Sequence, residues 1–305
     1  MSTADTTRPL AGRIAAAPIS WGVCEVPGWG HQMSPARVLR EMRELGLTAT
    51  EFGPDGFLPD APGERLAVLG AHGMRAVGGF VPAVLHDPDF DPLPAVRAAL
   101  AAFAACSADT LVLAAATGLD GYDSRPSLGS DGWRTLLARL DSLAAVAREY
   151  GITATLHPHV GTMVERVDEV LRVLDGSGVP LCLDTGHLLV GGTDPLALAR
   201  RAPGRIAHVH LKDVDAGAAE QVRAGRLGYT AAVAAGMYRP LGQGDAQIAE
   251  LVGLLEGSGY DGWYVMEQDA VLTAEPAPGE GPVRDVTAGL RLLADLGAGR
   301  WAVGR

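Results

Sequence analysis

The fold class this sequence predicts is α/β, a single (β/α)8 barrel, and three observations carry it. Eight short apolar runs alternate with eight longer amphipathic stretches along 305 residues, the pattern of parallel strands covered by helices. A glycine recurs where a helix hands over to the next strand, in "LGL" (45–47), "HGM" (72–74), "YGI" (150–152), "SGV" (177–179) and "GYDG" (259–262). That is the place for a glycine stop at a helix C-terminus. No G-x-G-x-x-G follows the first run, which counts against a doubly wound nucleotide-binding sheet.

Taken in order, "RIAAAPIS" (13–20) is the first strand run, and "SPARVLREM" opens the first helix (34–45) with a serine and a proline, both helix-start residues. "LTATEFG" (47–53) leads to a helix over 63–72, "MRAVGGFV" (74–81) to 93–106, and "DTLVLAA" (109–115) to 131–149. The fifth run, "ITATLHPH" (152–159), precedes a helix over 163–175; the sixth, "VPLCLDTGH" (179–187), precedes one over 194–201 that starts at "TDPLALARR". "RIAHVHLKD" (205–213) and "GWYVMEQD" (262–269) complete the set, with helices over 245–257 and 284–296. The whole chain, 1–305, reads as one domain, with tails at 1–12 and 298–305. Residues 214–244 are too long for a plain loop and read as a flap over the barrel mouth. Residues 270–283, with "AEPAPGEGP", read as exposed and mobile.

A formal charge of −11 and a pI near 5.1 argue against nucleic-acid or anionic-membrane partners. Cys24, Cys106 and Cys182 are scattered without C-x-x-C spacing, so neither a disulfide framework nor a zinc knuckle is indicated, and Cys182 reads as a buried thiol. The N-terminus lacks the apolar region of a secretion signal, and no uninterrupted apolar stretch is long enough to span a membrane. The expectation is a cytoplasmic protein acting on a small molecule; a homo-oligomer is compatible with the sequence.

The chemistry collects at strand ends, the active face of such barrels. Those ends carry Glu51, His157 and His159, Asp184 and His187, His208 and His210 with Lys212, then Glu267, Gln268 and Asp269. Alternation in "HVHLKD" sends His208 and His210 to one face. Asp184, His210 and Glu267, from strands six, seven and eight, would converge on the barrel axis. Mixed oxygen and nitrogen donors suit a divalent ion such as Mn2+, Co2+ or Mg2+, or Zn2+. Such an ion polarises a ketone and makes the α proton removable, with Lys212 and His159 as candidates to move protons. His208 lies deeper and is expected to orient its neighbours. Glu51 is expected to bind substrate hydroxyls, Trp21 and Trp29 to stack on a cyclic polyol, and Arg223 and Tyr238 to reach down from the flap.

At "LDTGH", "HVHLKD", "GYDGWYVMEQD" and "PLGQGDAQIAEL" the sequence resembles the xylose-isomerase-like barrels of sugar isomerases and epimerases. That resemblance matches Asp184, His210 and Glu267 to metal ligands and His187 to a substrate-contacting histidine. "PISWGVCEVPGWG" (18–30), "TEFGPDGFLP" (50–59), "TLHPHVGTMVE" (155–165) and "VRAGRLGYTAAVAAGMYRPLGQGD" (222–245) are similar to the inosose dehydratase branch over nearly the whole chain. The branch implies loss of water from 2-keto-myo-inositol, a keto-polyol, to give a trihydroxycyclohexane-dione, with Mn2+ or Co2+. Epimerases of the superfamily place a metal-binding glutamate at the end of strand five, an acid–base group opposed to Glu267; here that position is His157. The paired-carboxylate mechanism of a 3-epimerase or ketose isomerase, the alternative reading, is thereby weakened. His157 becomes a fourth ligand or an acid–base group.

Overall fold

A computed structural model describes residues 8–299; the outer parts of the two expected tails, 1–7 and 300–305, lie outside the described residues. Eight parallel strands close into a barrel: β1 (Ile14–Ala16), β2 (Ala49–Glu51), β3 (Arg75–Val84), β4 (Thr110–Ala116), β5 (Thr153–Leu156), β6 (Leu181–Asp184), β7 (Ile206–Leu211) and β10 (Tyr264–Met266). The last strand pairs with both β7 and β1, and β1 with β2, which shuts the ring. All eight lie within the apolar runs of the sequence, apart from the extension of β3 to Val84 and of β4 to Ala116.

The covering helices are α1 (Pro35–Glu44), α2 (Pro62–Ala71), α3 (Leu93–Ala105), α4 (Ser130–Glu149), α5 (Val167–Gly176), α7 (Pro195–Arg201), α10 (Ile248–Gly257) and α11 (Pro282–Gly297). Ser34 caps α1 as its sequence indicates, its side chain accepting from the Arg37 amide. The inward faces of these helices and the outward faces of the strands form one continuous apolar core.

Three expectations need correction. The N-terminal tail does not extend to residue 12: Leu10–Arg13 is a 3-10 turn with Leu10 buried. Arg13 is buried there against Glu256, 2.7 and 2.6 Å from its two carboxylate oxygens. The sixth apolar run is two elements, because a short helix α6 (Thr185–Val190) starts directly after β6. Asp184 ends the strand and caps that helix, its Oδ1 accepting from the His187 amide at 2.7 Å. Residues 270–272 are packed rather than free: Leu272 O accepts from the His31 amide at 2.7 Å and Ala270 O from Trp29 Nε1 at 3.0 Å.

The segment after β7 carries its own structure. β8 (Asp213–Val214) pairs antiparallel with β9 (Tyr238–Arg239), enclosing α8 (Ala216–Arg223) and α9 (Tyr229–Ala234). Asp213 pins the base of this unit by accepting from the amides of Gly242, Gly244 and Ala246.

Candidate metal centre and cavity

A cavity of about 550 Å3 opens at the C-terminal ends of the strands, with Glu51, His159, His210, Glu267 and Asp269 on its polar side. Phe80, Val81 and Pro82 form an apolar wall. The polar side grows from strand alternation: His210 and Asp184 are register partners on β7 and β6, and Glu267 follows β10 immediately.

Asp184, His210 and Glu267 bring one donor atom each within 4.8 Å of one another. Asp184 Oδ2, His210 Nδ1 and Glu267 Oε2 are buried without a hydrogen-bond partner, although Glu267 Oε2 and His210 Nδ1 are in ion-pair contact. Buried polar atoms are ordinarily paired, so Asp184 Oδ2, left without a hydrogen bond beside the Glu267–His210 contact, fits a cation at this point. The α6 cap also serves this geometry: with Oδ1 held by the His187 amide, Asp184 has only Oδ2 to offer. His157 Nε2 lies 3.4 Å from that oxygen, within reach of the same point.

The opposite nitrogen of His210 is fixed. Glu51 Oε1 accepts from His210 Nε2 at 2.9 Å and from His208 Nε2 at 2.8 Å. Burial alone would raise the Glu51 carboxyl, but the two imidazoles hold it down at about 2. Glu51 therefore does more than face substrate; it orients His210 from below. His208 supports Glu51 and is fully buried.

Lys212 lies directly behind the cavity wall. Its Nζ is 2.7 Å from Asp269 Oδ1, 3.2 Å from Glu267 Oε1, 3.6 Å from Asp184 Oδ2 and 2.9 Å from His187 Nε2. Burial would lower its pKa, but Asp184, Asp269 and Glu267 keep it well above the ordinary lysine value, so it is an ammonium. His187 is held neutral by burial beside His159 and Lys212. Its Nε2 accepts from Lys212, and its Nδ1 lies 3.4 Å from the Val160 amide, which donates to it, and 3.5 Å from the Tyr238 hydroxyl. Gly186 makes this packing possible, since a Cβ there would lie 2.7 Å from Lys212 Cγ and 2.9 Å from Tyr238 Cε1.

His159 stacks on His187 with ring centroids 3.7 Å apart, and on Tyr122 at 4.5 Å. Its Nδ1 is 2.7 Å from the Val160 carbonyl, so Nδ1 carries the proton and Nε2 is the free acceptor. Burial, with His157 and Lys212 close by, brings its pKa down to about 3.

Besides His187, three residues expected to contact substrate do not line the cavity. Trp21 is fully buried in the core, its Nε1 donating to Glu41 Oε2 at 2.8 Å; the 3-10 turn Pro18–Trp21 swings it outward, and Trp29 is the tryptophan that lines the cavity. Arg223 ends α8 on the outside, donating to Leu189 O at 3.0 Å and paired with Glu220. Tyr238 stands behind His187 and Lys212 rather than on the wall. Sequence reasoning missed Tyr229, from α9, and gave Asp269 no individual role. Tyr229 reaches the cavity and donates to Asp269 Oδ2 at 2.8 Å. Asp269 was visible as a strand-end carboxylate, whereas no signal singled out Tyr229.

Residues 39–295 match the family of xylose isomerase-like TIM barrels. An inosose dehydratase of Geobacillus kaustophilus is 32% identical over 84% of this chain and 87% of its own length. A rhizopine catabolism protein, MocC, of Rhizobium meliloti is 32% identical over 84% of this chain and 81% of its own. Among solved structures, an IOLI protein with a bound zinc atom superposes with a TM-score of 0.68 at 12% identity, covering 95% of this chain and 100% of that one.

Proposed function

This chain belongs to the xylose isomerase-like TIM barrel family, and we propose that within it the protein is a divalent-metal-dependent inosose dehydratase. The substrate is 2-keto-myo-inositol or a closely related cyclic keto-polyol. The observation that carries this reading is the convergence of Asp184 with His210 and Glu267, the latter two on the cavity wall, in a chain 32% identical to an inosose dehydratase.

Asp184, His210 and Glu267 would hold the ion, with His157 as a fourth ligand. Bound there, Mn2+ or Co2+ supplies Lewis-acid polarisation of a ketone. His159 Nε2, the free acceptor on the wall, takes the α proton. Asp269 faces the cavity with Lys212 behind it, and burial raises its carboxyl; it hands a proton to the departing hydroxyl, which leaves as water. Lys212 holds Asp269 and Glu267 in place. The carbon–hydrogen and carbon–oxygen bonds break, an enol forms, and its tautomer is the dione. His187 and Glu51 contribute by fixing Lys212 and His210.

The test is an assay of chelator-stripped protein on 2-keto-myo-inositol with and without Mn2+ or Co2+, following the ultraviolet absorbance of the enolised dione. Product only with added metal is the expected result. Metal retention without product overturns the dehydratase assignment and directs the search to ketose isomerisation.

A further inference from the structure

Beneath the open trio lies a second donor set. Cys182 precedes Asp184 by two residues on β6, so alternation points its thiol into the barrel one layer deeper. Its sulfur, a ring nitrogen of His157 and one of His210 lie within 4.8 Å of one another. All three side chains are at most 1% exposed. Neither nitrogen of His157 has a hydrogen-bond partner, an unusual state for a buried imidazole. Cys182 and His157 are not part of the cavity wall.

We propose that His157, Cys182 and His210 form a second, closed position for a thiophilic divalent ion, Zn2+ foremost, which competes with the open position for His157 and His210. The two donor sets differ in chemistry. Two carboxylates and one imidazole suit Mn2+, Co2+ or Mg2+, whereas a thiolate with two imidazoles suits Zn2+. A free thiol is ordinarily protonated at neutral pH, so metal entry displaces its proton. The balance is one zinc ion plus one thiol giving one zinc–thiolate bond and one released proton. An ion in the closed position takes His210 from the open set and sits away from the cavity, so Zn2+ inhibits and excess Mn2+ restores. This deepens the metal-dependent reading at the two shared histidines, and its test is independent of substrate.

The experiment is a titration of Cd2+, a soft probe of the same valence, into metal-free Cys24→Ser/Cys106→Ser protein under anaerobic, reducing conditions. Cys182 is then the sole thiol. The expected result is a cadmium–thiolate charge-transfer band that saturates at one equivalent with release of a proton, and that Mn2+ present beforehand shifts to higher Cd2+ concentration. Adding Cys182→Ala removes the band and weakens Zn2+ binding by about 10-fold or more, the scale on which even an outer-shell partner acts. Mn2+ binding, read by electron paramagnetic resonance, persists in that variant. No band in the Cys182 protein, or a band indifferent to Mn2+, overturns the proposal. Because the first titration needs no change at position 182, it stands even if Cys182→Ala fails to fold. Failure of the dehydratase assignment appears separately, as absence of dione with Mn2+ supplied.

Discussion

Single side chains in this centre owe their chemistry to what holds their second atom. Asp184 offers Oδ2 because Oδ1 is taken by a helix amide, and His210 offers Nδ1 because Nε2 is taken by Glu51. Tyr229 shows the same logic on the proton-moving side, where its hydroxyl is one of two groups holding Asp269, with Lys212 as the other. Removing that hydroxyl leaves the ring packing against Tyr122 and Tyr238 and deletes one charge-assisted hydrogen bond. Such bonds are worth about 1.5–3 kcal/mol, so Tyr229→Phe should lower kcat by about 10- to 100-fold with little change in KM. Steady-state kinetics on the metal-loaded protein decide it; an unchanged kcat would remove Tyr229 from the machinery. The sequence showed Asp184, His210 and Glu267 plainly, since alternation at strand ends places them. It was silent on Tyr229, because nothing in a flap sequence states which residue its tertiary folding turns inward. Trp21 misled for a related reason: a turn of 3-10 helix after a very short strand reversed its direction.

Elements carry these side chains, and the flap is the element that the barrel pattern leaves unspecified. Asp215 organises it: its Oδ1 accepts from the Ala218 amide at 2.9 Å as the cap of α8, and its Oδ2 pairs with Arg239 of β9 at 3.1 Å. The amide and the guanidinium both favour the charged form and lower this carboxyl below its ordinary 3.8. In the window below 3.8 the folded flap binds fewer protons than the unfolded one, so this contribution is full above 3.8 and fades as pH falls through the depressed value. Replacing an aspartate cap by alanine costs about 0.5–2 kcal/mol. Asp215→Ala should therefore speed amide exchange in Ala216–Arg223 at pH 7, with the difference from the parent protein shrinking at lower pH. Equal protection in both proteins at pH 7 would show that the cap does not set flap stability. α6 illustrates the limit of periodicity in the other direction. "LCLDTGH" reads as one run, and only the capping role of Asp184 divides strand from helix.

At the scale of the whole molecule, the proposed metal centre draws its candidate donors from strands distant in sequence, and the barrel alone brings them together. The alternating pattern made that barrel legible, because each strand–helix unit repeats the same punctuation of apolar run and glycine stop. The acidic charge of −11 is concentrated in part at this centre, where Asp184, Glu267, Asp269 and Glu51 gather round a single lysine, Lys212, and the histidines. Without a cation these carboxylates face one another in a buried space, at a cost that an ion relieves. An ion that binds the folded state alone stabilises it by about 2.7 kcal/mol at a hundredfold excess over Kd. With an unfolding entropy of about 2.1 cal/mol/K per residue, that corresponds to a rise of about 4 °C in Tm for a chain of this length. Chelator-stripped protein should melt that much lower than protein with Mn2+ at saturating concentration, by scanning calorimetry at neutral pH. His210→Ala, which removes one donor from the trio, should fold but lose the increment. If Mn2+ leaves the Tm of the parent protein unchanged, or raises that of His210→Ala equally, the ion binds elsewhere and the trio is not its site.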